Sequence, residues 1–452
     1  MPILRPRLRK HAISPTQLVF GWFLFFIFLG TILLWMPVSH ISPERKIDFI
    51  SALFTSVSAA CVTGLTVVNV AETYSFFGQL VIFLLMEMGG MGIMTFATLG
   101  FRAFGRRLSM TQQAAAADTL YQNDAAGEFK DTFTQIMKLT LLIQATGAIG
   151  MAATLVPRHW HSGERLFLFW SAAFHSSSAF CNSGFTLYPD GLDSLRSNIP
   201  FLLILMFLVT LGGLGHVVLN ELYRLPGYLR RRVRKPHWIS LHTRVVLVTT
   251  AAIMLFGVLF IWLFGTGGDS TLWQAVFATI VGRTAGFSIF PQEQLPLPSI
   301  LIMFLLMFIG GSPSSCAGGI KTTSLAIWMA RISSNLRNDA NVNLFGYTID
   351  SALVSRARIL MAVTMLWNLT GVFILAATHP GERLEILIFE QISAFGTVGL
   401  SMNFTAELTG LGRLWAIVSM FVGRLGPLSL ALWMVPPSRV KINHPIGRIM
   451  VG

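Results

Sequence analysis

The chain has 452 residues, 53% of them hydrophobic and 12% charged, about half the charge density of a soluble globular domain, which excludes a soluble fold. Apolar runs of about 20 residues are long enough to cross hydrocarbon, and short alternating strands are missing, so a polytopic all-α membrane protein is expected rather than a β-barrel. The net charge of +13 invites nucleic acid as a partner; however, the basic residues flank the apolar runs, at 102–107, 224–235, 331–337 and 356–358 and at Arg439, Lys441 and Arg448. That is the positive-inside pattern, and the expected partner is membrane lipid, with no nucleic acid.

In chain order, residues 1–16 read as a cytoplasmic segment carrying 5-RPRLRK-10. The run at 17–38 is too long for a cleaved signal and lacks a small-residue cleavage site, so it reads as a retained span. Four similar units follow: repeat 1 at 17–110, repeat 2 at 111–235 with a preceding cytoplasmic linker, repeat 3 at 236–345 and repeat 4 at 346–436. Residues 437–452 form a cytoplasmic tail. Each unit reads as a long apolar helix, a short helix, a glycine loop and a second apolar helix. The predicted ranges are 17–38, 47–60, 61–69 and 76–100, then 133–156, 166–180, 181–189 and 198–222. The third unit gives 242–265, 270–282, 283–290 and 298–330, and the fourth 352–378, 383–395, 396–403 and 411–434.

The repeat is visible in the loops: 58-SAACVTGLTVVN-69, 178-SAFCNSGFTLYP-189, 280-IVGRTAGFSIF-290 and 393-SAFGTVGLSMN-403. They align on Gly64, Gly184, Gly286 and Gly399. Leu or Phe follows each glycine, then Thr or Ser; Ser stands six positions earlier in three copies, as Ser58, Ser178 and Ser393. Internal periodicity of this kind marks a fold built from repeated units. The short helices cannot span, so they suit re-entrant elements. Non-helical backbone at membrane depth is tolerated only where protein buries it or it lines a watery cavity. The predicted architecture is therefore eight spans and four re-entrant pore loops around one central pore. Both termini lie inside, which places most Lys and Arg inside and leaves the outer face net negative, favouring cations at the entrance.

The loops carry almost no charged side chains, so carboxylate rings give way to backbone carbonyls as the cation ligands. Glycine allows the positive φ that aims successive carbonyls one way, and the short helices point their partly negative C-terminal ends at the pore. The candidate filter residues are Val62, Thr63 and Gly64, Asn182, Ser183 and Gly184, Thr284, Ala285 and Gly286, and Thr397, Val398 and Gly399, with K+ held by their carbonyls. Arg283 reads either as a donor bracing the loop or as an arginine facing the vestibule. The three cysteines, Cys61, Cys181 and Cys316, form no CxxC and read as small packing residues rather than a disulfide or zinc site.

On 62-VTGLTVV-68, 182-NSGFTLYPD-190, 283-RTAGF-287, 396-GTVGL-400, 310-GGSPSSCAGGIKTT-323 and 423-GRLGPL-428, the chain resembles the Trk/Ktr/HKT superfamily of potassium and sodium translocating proteins. Its length fits the bacterial Ktr-type membrane subunit (KtrB). The resemblance covers nearly the whole chain. It implies an ion-translocating subunit of a bacterial potassium uptake system in the inner membrane, and no enzyme. Glycine at all four filter positions implies K+, with Na+ a candidate activator, and no covalent cofactor. A homodimer is implied, bound to a cytosolic ring of nucleotide-binding regulatory subunits (KtrA-type RCK subunits), since this chain has no GxGxxG of its own. The tail 445–452 is a candidate for docking on a neighbouring subunit.

The third unit's second helix is interrupted by SPSSCAGGIKTTS, a composition that unwinds helices. In the family this segment obstructs the pore below the filter. It is adopted as a mobile gate from Gly310 to Lys321, including Gly311, Ser312, Ser314, Ser315, Gly318 and Gly319, with Pro313 stiffening one end. Gly319-Ile320-Lys321-Thr322 is not a P-loop, because no strand precedes it and Ile320 intervenes. Arg424, a charge at mid-membrane costing at least about 2.5–3.5 kcal/mol, reads either as an electrostatic barrier in the pore or as a partner of Glu87 or Glu390. Each of those carboxyls could also be protonated and hydrogen-bonded. Two other functions compete: a proton-coupled cation transporter relaying through His175, His216 or Glu87, and an intramembrane serine hydrolase using Ser183 and His216. The hydrolase gives no reason for four repeats.

Overall fold

The computed structural model describes residues 15–42, 47–91, 128–155, 165–230, 239–266 and 271–426. Residues 1–14, the linker before the second unit, the ends of the first and fourth units and the tail lie outside the described residues.

The described chain is almost entirely helical. Its elements are α1 Pro15–Trp35, α2 Phe49–Ala60, α3 Val70–Thr73, α4 Phe76–Gly90, α5 Glu128–Leu155, α6 Arg165–Phe180, α7 Ile199–Leu214 and α8 His216–Arg230. Then come α9 Leu241–Phe264, α10 Leu272–Val281, α11 Leu297–Phe308 and α12 Thr322–Leu336, a two-residue hairpin (β1 Asn343–Leu344, β2 Tyr347–Thr348), and α13 Ser351–Thr378, α14 Leu384–Gly396 and α15 Gly410–Leu425. Polar caps set many of the starts. Asp48 accepts from Ser51 N, Ser75 from Gly78 N, Ser240 from Thr243 N and Thr409 from Gly412 N, and Thr271 with Gln274 forms a capping box. Each satisfies amide groups that a helix start leaves without partners.

Four times, a longer helix packs along a shorter one: α1 on α2, α5 on α6, α9 on α10 and α13 on α14. The close approach comes from one small residue per long helix. A Cβ on Gly30 would lie 2.7 Å from Ser56 Oγ, on Gly147 2.6 Å from Ser176 Oγ, on Gly257 2.6 Å from Thr279 Cγ2, and on Gly371 against the Gln391 amide. Small residues are the usual means of bringing helices together where lipid removes the hydrophobic drive.

The helix after each loop then packs against the short helix of the next unit: α4 on α6, α7 on α10, α11 on α14, and α15 back on α2. The order closes on itself, so the short helices form an inner ring. They are largely buried, as are Phe54, Phe174, Phe277 and Phe389 upon them. The outward faces of the long helices are apolar and exposed, with Phe28, Leu255 and Phe373 more than half accessible. Among the described residues three helices are long and apolar enough to cross a membrane, 134–155, 241–264 and 351–378. The count is four if the bent pair 199–214 and 216–225 is one span.

That bend is a correction. The sequence predicts one continuous helix over 198–222; the chain turns by 106° at Gly215. A straight helix would carry the bond from His216 N to Gly212 O. Instead His216 N donates to Ser314 O at 3.1 Å, while Gly212 O accepts from Cys316 N at 3.3 Å and Gly213 O from Ser312 N at 3.0 Å. Backbone from the third unit takes the partners that the helix gives up. Gly215 itself is at φ 85, and a Cβ there would lie 2.7 Å from Pro313 O. The third unit's own interruption falls where the sequence places it: helix ends at Phe308 and resumes at Thr322.

Candidate functional site: a ring of four loops

Each short helix ends in a loop of the same conformation. Val62, Asn182, Thr284 and Thr397 have φ of 57, 56, 76 and 49°, and two residues on Gly64, Gly184, Gly286 and Gly399 have φ of 87, 74, 70 and 93°. Alternating left-handed residues turn successive peptide planes so that their carbonyls share one side. Three of the four leading positions are β-branched, for which positive φ is a genuine outlier costing of order 1–3 kcal/mol. The surrounding structure must hold them there. Thr63 N and Ser183 N each reach back 2.7 Å to Ser58 O and Ser178 O, and Val398 N reaches 2.9 Å to Ser393 O. The serine hydroxyls complete the brace: Ser58 Oγ accepts from Gly64 N at 3.1 Å, Ser393 Oγ accepts from Gly399 N at 3.2 Å, and Ser178 Oγ donates to Phe185 O at 2.8 Å. The Ser six positions before three of the four glycines is thus a loop strut.

The four loops meet. A Cβ on Gly184 would lie 2.7 Å from Ala285 O and on Gly286 2.6 Å from Val398 O; on Gly399 it would meet Thr63 O, and on Gly64 it would meet Ser183 O. Each contact is with the carbonyl immediately before the glycine of the next loop. The four oxygens and four glycines therefore form one closed circuit, running 64, 184, 286, 399 and back to 64. Any side chain at these glycines would push on a neighbour's carbonyl. The candidate filter residues are all brought together, and the chemistry on offer is a ring of neutral oxygens, suited to a bare monovalent cation. The Asn182 amide nitrogen, in its satisfied orientation, donates to Ala179 O at 3.1 Å and Val209 O at 3.0 Å, fastening the second loop to α7.

Beneath the ring lies the loop 309–321. Its neck is closed by Gly310 N donating to Ile320 O at 2.9 Å, Ile320 N to Phe308 O at 3.3 Å and Thr322 N to Gly311 O at 3.0 Å. Ser314 and Gly319 take positive φ within it. Besides the Gly212–His216 bonds, Ser312 Oγ donates to Leu214 O and Ser315 Oγ to Ser312 O at 2.6 Å. Cys316 Sγ donates to Gly90 O at 3.2 Å, and a Cβ on Gly318 would meet Thr397 Oγ1 and lie 3.0 Å from Gly396 O. The loop thus touches all three other units. Lys321 stands immediately before α12 and turns its ammonium back to Ala317 O rather than capping the helix.

Arg424 donates to Cys316 O and Gly89 O. Neither carboxyl is its partner: Glu87 accepts from Gln144 Nε2 at 2.8 Å and from Ser177 Oγ, and Glu390 accepts from Ser401 Oγ at 2.7 Å and Thr405 Oγ1 at 2.5 Å. The ion-pair reading of Arg424 gives way to a guanidinium held by backbone carbonyls. Arg283 is buried and donates to Gly310 O at 3.0 Å, bracing the lower loop rather than its own. His175 is packed between Ser171 O, 2.7 Å from Nδ1, and the stacked Tyr188 ring. Ser183 Oγ has no hydrogen-bond partner among the described residues, so it does not form a hydrolase's serine–histidine pair with His216.

Sequence reasoning missed Gly89, Gly212 and Gly423, where α4, α7 and α15 pass under the ring. A Cβ on each would collide with the carbonyl at the end of a short helix, Ala60 O, Phe180 O and Phe395 O respectively. The signal was present as a second repeat, 89-GGMG-92, 212-GGLG-215, 310-GGSP-313 and 423-GRLG-426. In it Arg424 occupies the place of a glycine.

A family model described as cation transport protein, TrkH, matches residues 11–267 and 268–441. The potassium/sodium uptake protein NtpJ of Enterococcus hirae is 32% identical over 467 residues, covering all of both chains. The Ktr system potassium uptake protein B of Bacillus subtilis is 32% identical over 97% of this chain and 96% of its own length. The crystal structure of the potassium transporter TrkH from Vibrio parahaemolyticus superposes with a TM-score of 0.72 over 95% of this chain and 87% of that one, at 19% identity, a likeness of fold. By sequence over its whole length, and with its fold in agreement, the chain belongs to the TrkH/Ktr family of cation transport proteins.

Proposed function

We propose that this chain is the ion-translocating subunit of a potassium uptake system, with eight spans and four re-entrant loops enclosing one pore. K+ passes through the ring formed by residues 62–64, 182–184, 284–286 and 397–399, shedding water for carbonyl oxygens. The observation that carries this reading is the closed circuit in which each filter glycine abuts the carbonyl of the next loop. The segment from Gly310 to Lys321 is the gate: it crosses beneath the ring and is held there by Arg424, whose charge adds a barrier to a passing cation. The relatives named as Ktr system and potassium/sodium uptake proteins support potassium as cargo and a multi-subunit assembly. We extend this to a homodimer in the bacterial inner membrane with both termini cytoplasmic, a KtrA-type nucleotide-binding ring beneath it, and Na+ as an activator.

The test is rubidium influx into liposomes holding the purified protein, with membrane potential and pH gradient set independently. Influx should follow the rubidium gradient and voltage and persist when the pH gradient is collapsed. Influx that vanishes with the pH gradient would instead establish the proton-coupled transporter.

A further inference from the structure

The third loop of the ring differs from the other three. Where they carry the strut serine, it has Ile280, and Gly286 N has only Val281 O, at 3.4 Å. This loop alone carries a buried cation, Arg283, 6% exposed. The guanidinium does not brace its own loop. It reaches Gly310 O, 3.0 Å away, and leaves its Nε buried without a partner among the described residues. A buried cation with an unsatisfied donor and, among the described residues, no carboxylate partner is unfavourable for stability, so packing alone does not account for it. Gly310 is also the residue at which the lower loop departs from helix, with its N–H fixed to Ile320 O. Further round the same loop, Cys316 O is held by Arg424 from the fourth unit. The loop is therefore suspended between two guanidiniums, one rooted in the ring and one in α15.

We infer that Arg283 is a positioning residue that hinges the lower loop to the third loop of the ring, so that filter and gate move together. The inference rests on the filter-and-gate reading above. Arg424 holds the far end of the loop, whereas Arg283 holds the neck about which it turns. Loss of the Arg283 bond frees the neck and raises basal flux without changing which ion passes, because the guanidinium donates to Gly310 O, outside the ring.

The experiment measures rubidium influx and potassium-over-sodium selectivity in liposomes for wild type, R283Q and R283K, each with the loop intact and with residues 314–317 excised. With the loop intact, R283Q should raise influx roughly tenfold, the factor that one charge-assisted hydrogen bond supplies. R283K, which keeps a charged donor, should fall between R283Q and wild type, and provides the readout should R283Q fail to fold. Selectivity should not change, and with the loop excised the variants should match their parent. Equal effects with and without the loop, or altered selectivity, would overturn the inference and leave the filter-and-gate reading standing. If excision in the wild-type background leaves influx unchanged, the gate itself fails and the inference falls with it.

Discussion

Replacing Gly64 by serine tests the ring at its tightest point. Gly64 sits at φ 87, and its new Cβ would fall on Ser183 O, with Ser183 C and Gly184 C at 3.1 and 3.2 Å. Ordinary Cβ contacts begin near 3.4 Å, so a ring oxygen belonging to the neighbouring loop must move. The left-handed conformation costs an L-residue roughly 1–2 kcal/mol, and displacing a braced carbonyl costs a comparable amount. If about 3 kcal/mol of the ring's preference for its cation is lost, uptake falls roughly 150-fold, at about 1.4 kcal/mol per tenfold. The assay is rubidium uptake with sodium competition in cells lacking other potassium systems, with membrane abundance of the protein measured alongside. Gly381→Ala is the control: φ is 105 there but no atom lies within 4 Å of the new Cβ, so it carries backbone strain without crowding, and uptake should be unchanged. A G64S protein that reaches the membrane and keeps its uptake rate and its preference for potassium would refute the ring as the ion's path.

Ser183→Ala should leave rubidium uptake within twofold of wild type, because the hydroxyl is buried without a partner among the described residues and removing an unsatisfied polar group is nearly neutral or stabilising; a lost activity would revive a hydroxyl-based mechanism. Gly215→Ala introduces an L-residue at φ 85 with Pro313 O at 2.7 Å. It should lower thermal stability in detergent by about 2 kcal/mol or more, and an unchanged melting temperature would mean that the α7–α8 break is not fastened as described. Arg424→Gln removes charge-assisted bonds to Cys316 O and Gly89 O, each worth about 1.5–3 kcal/mol. Uptake at a fixed gradient should rise about tenfold or more, and a fall would show that Arg424 promotes rather than restrains permeation.

Much of the arrangement was legible in the chain because repetition leaves a record that needs no coordinates. Four glycines with the same flanking residues located the loops, and the strut position was already visible in Ser58, Ser178 and Ser393. The Gly/Ser/Pro run 310–321 announced the break in the third unit, since such composition disfavours helix wherever it falls. Tertiary contacts alone decided the rest. The bend at Gly215 exists because the third unit's backbone supplies Ser314 O to His216 N and takes Gly212 O and Gly213 O in return, partners nearly a hundred residues away that no local propensity encodes. The positive φ of Val62, Thr284 and Thr397 runs against their β-branched character and is held by bonds reaching back into the short helices. The partner of Arg424 was likewise undecidable, because Glu87 and Glu390 are equally available in the sequence; in the structure Glu87 accepts instead from a hydroxyl and an amide, and Glu390 from two hydroxyls. Composition and repeats fixed what kind of groups would be buried; only the closing of the four units on one another determined which carbonyl each would meet.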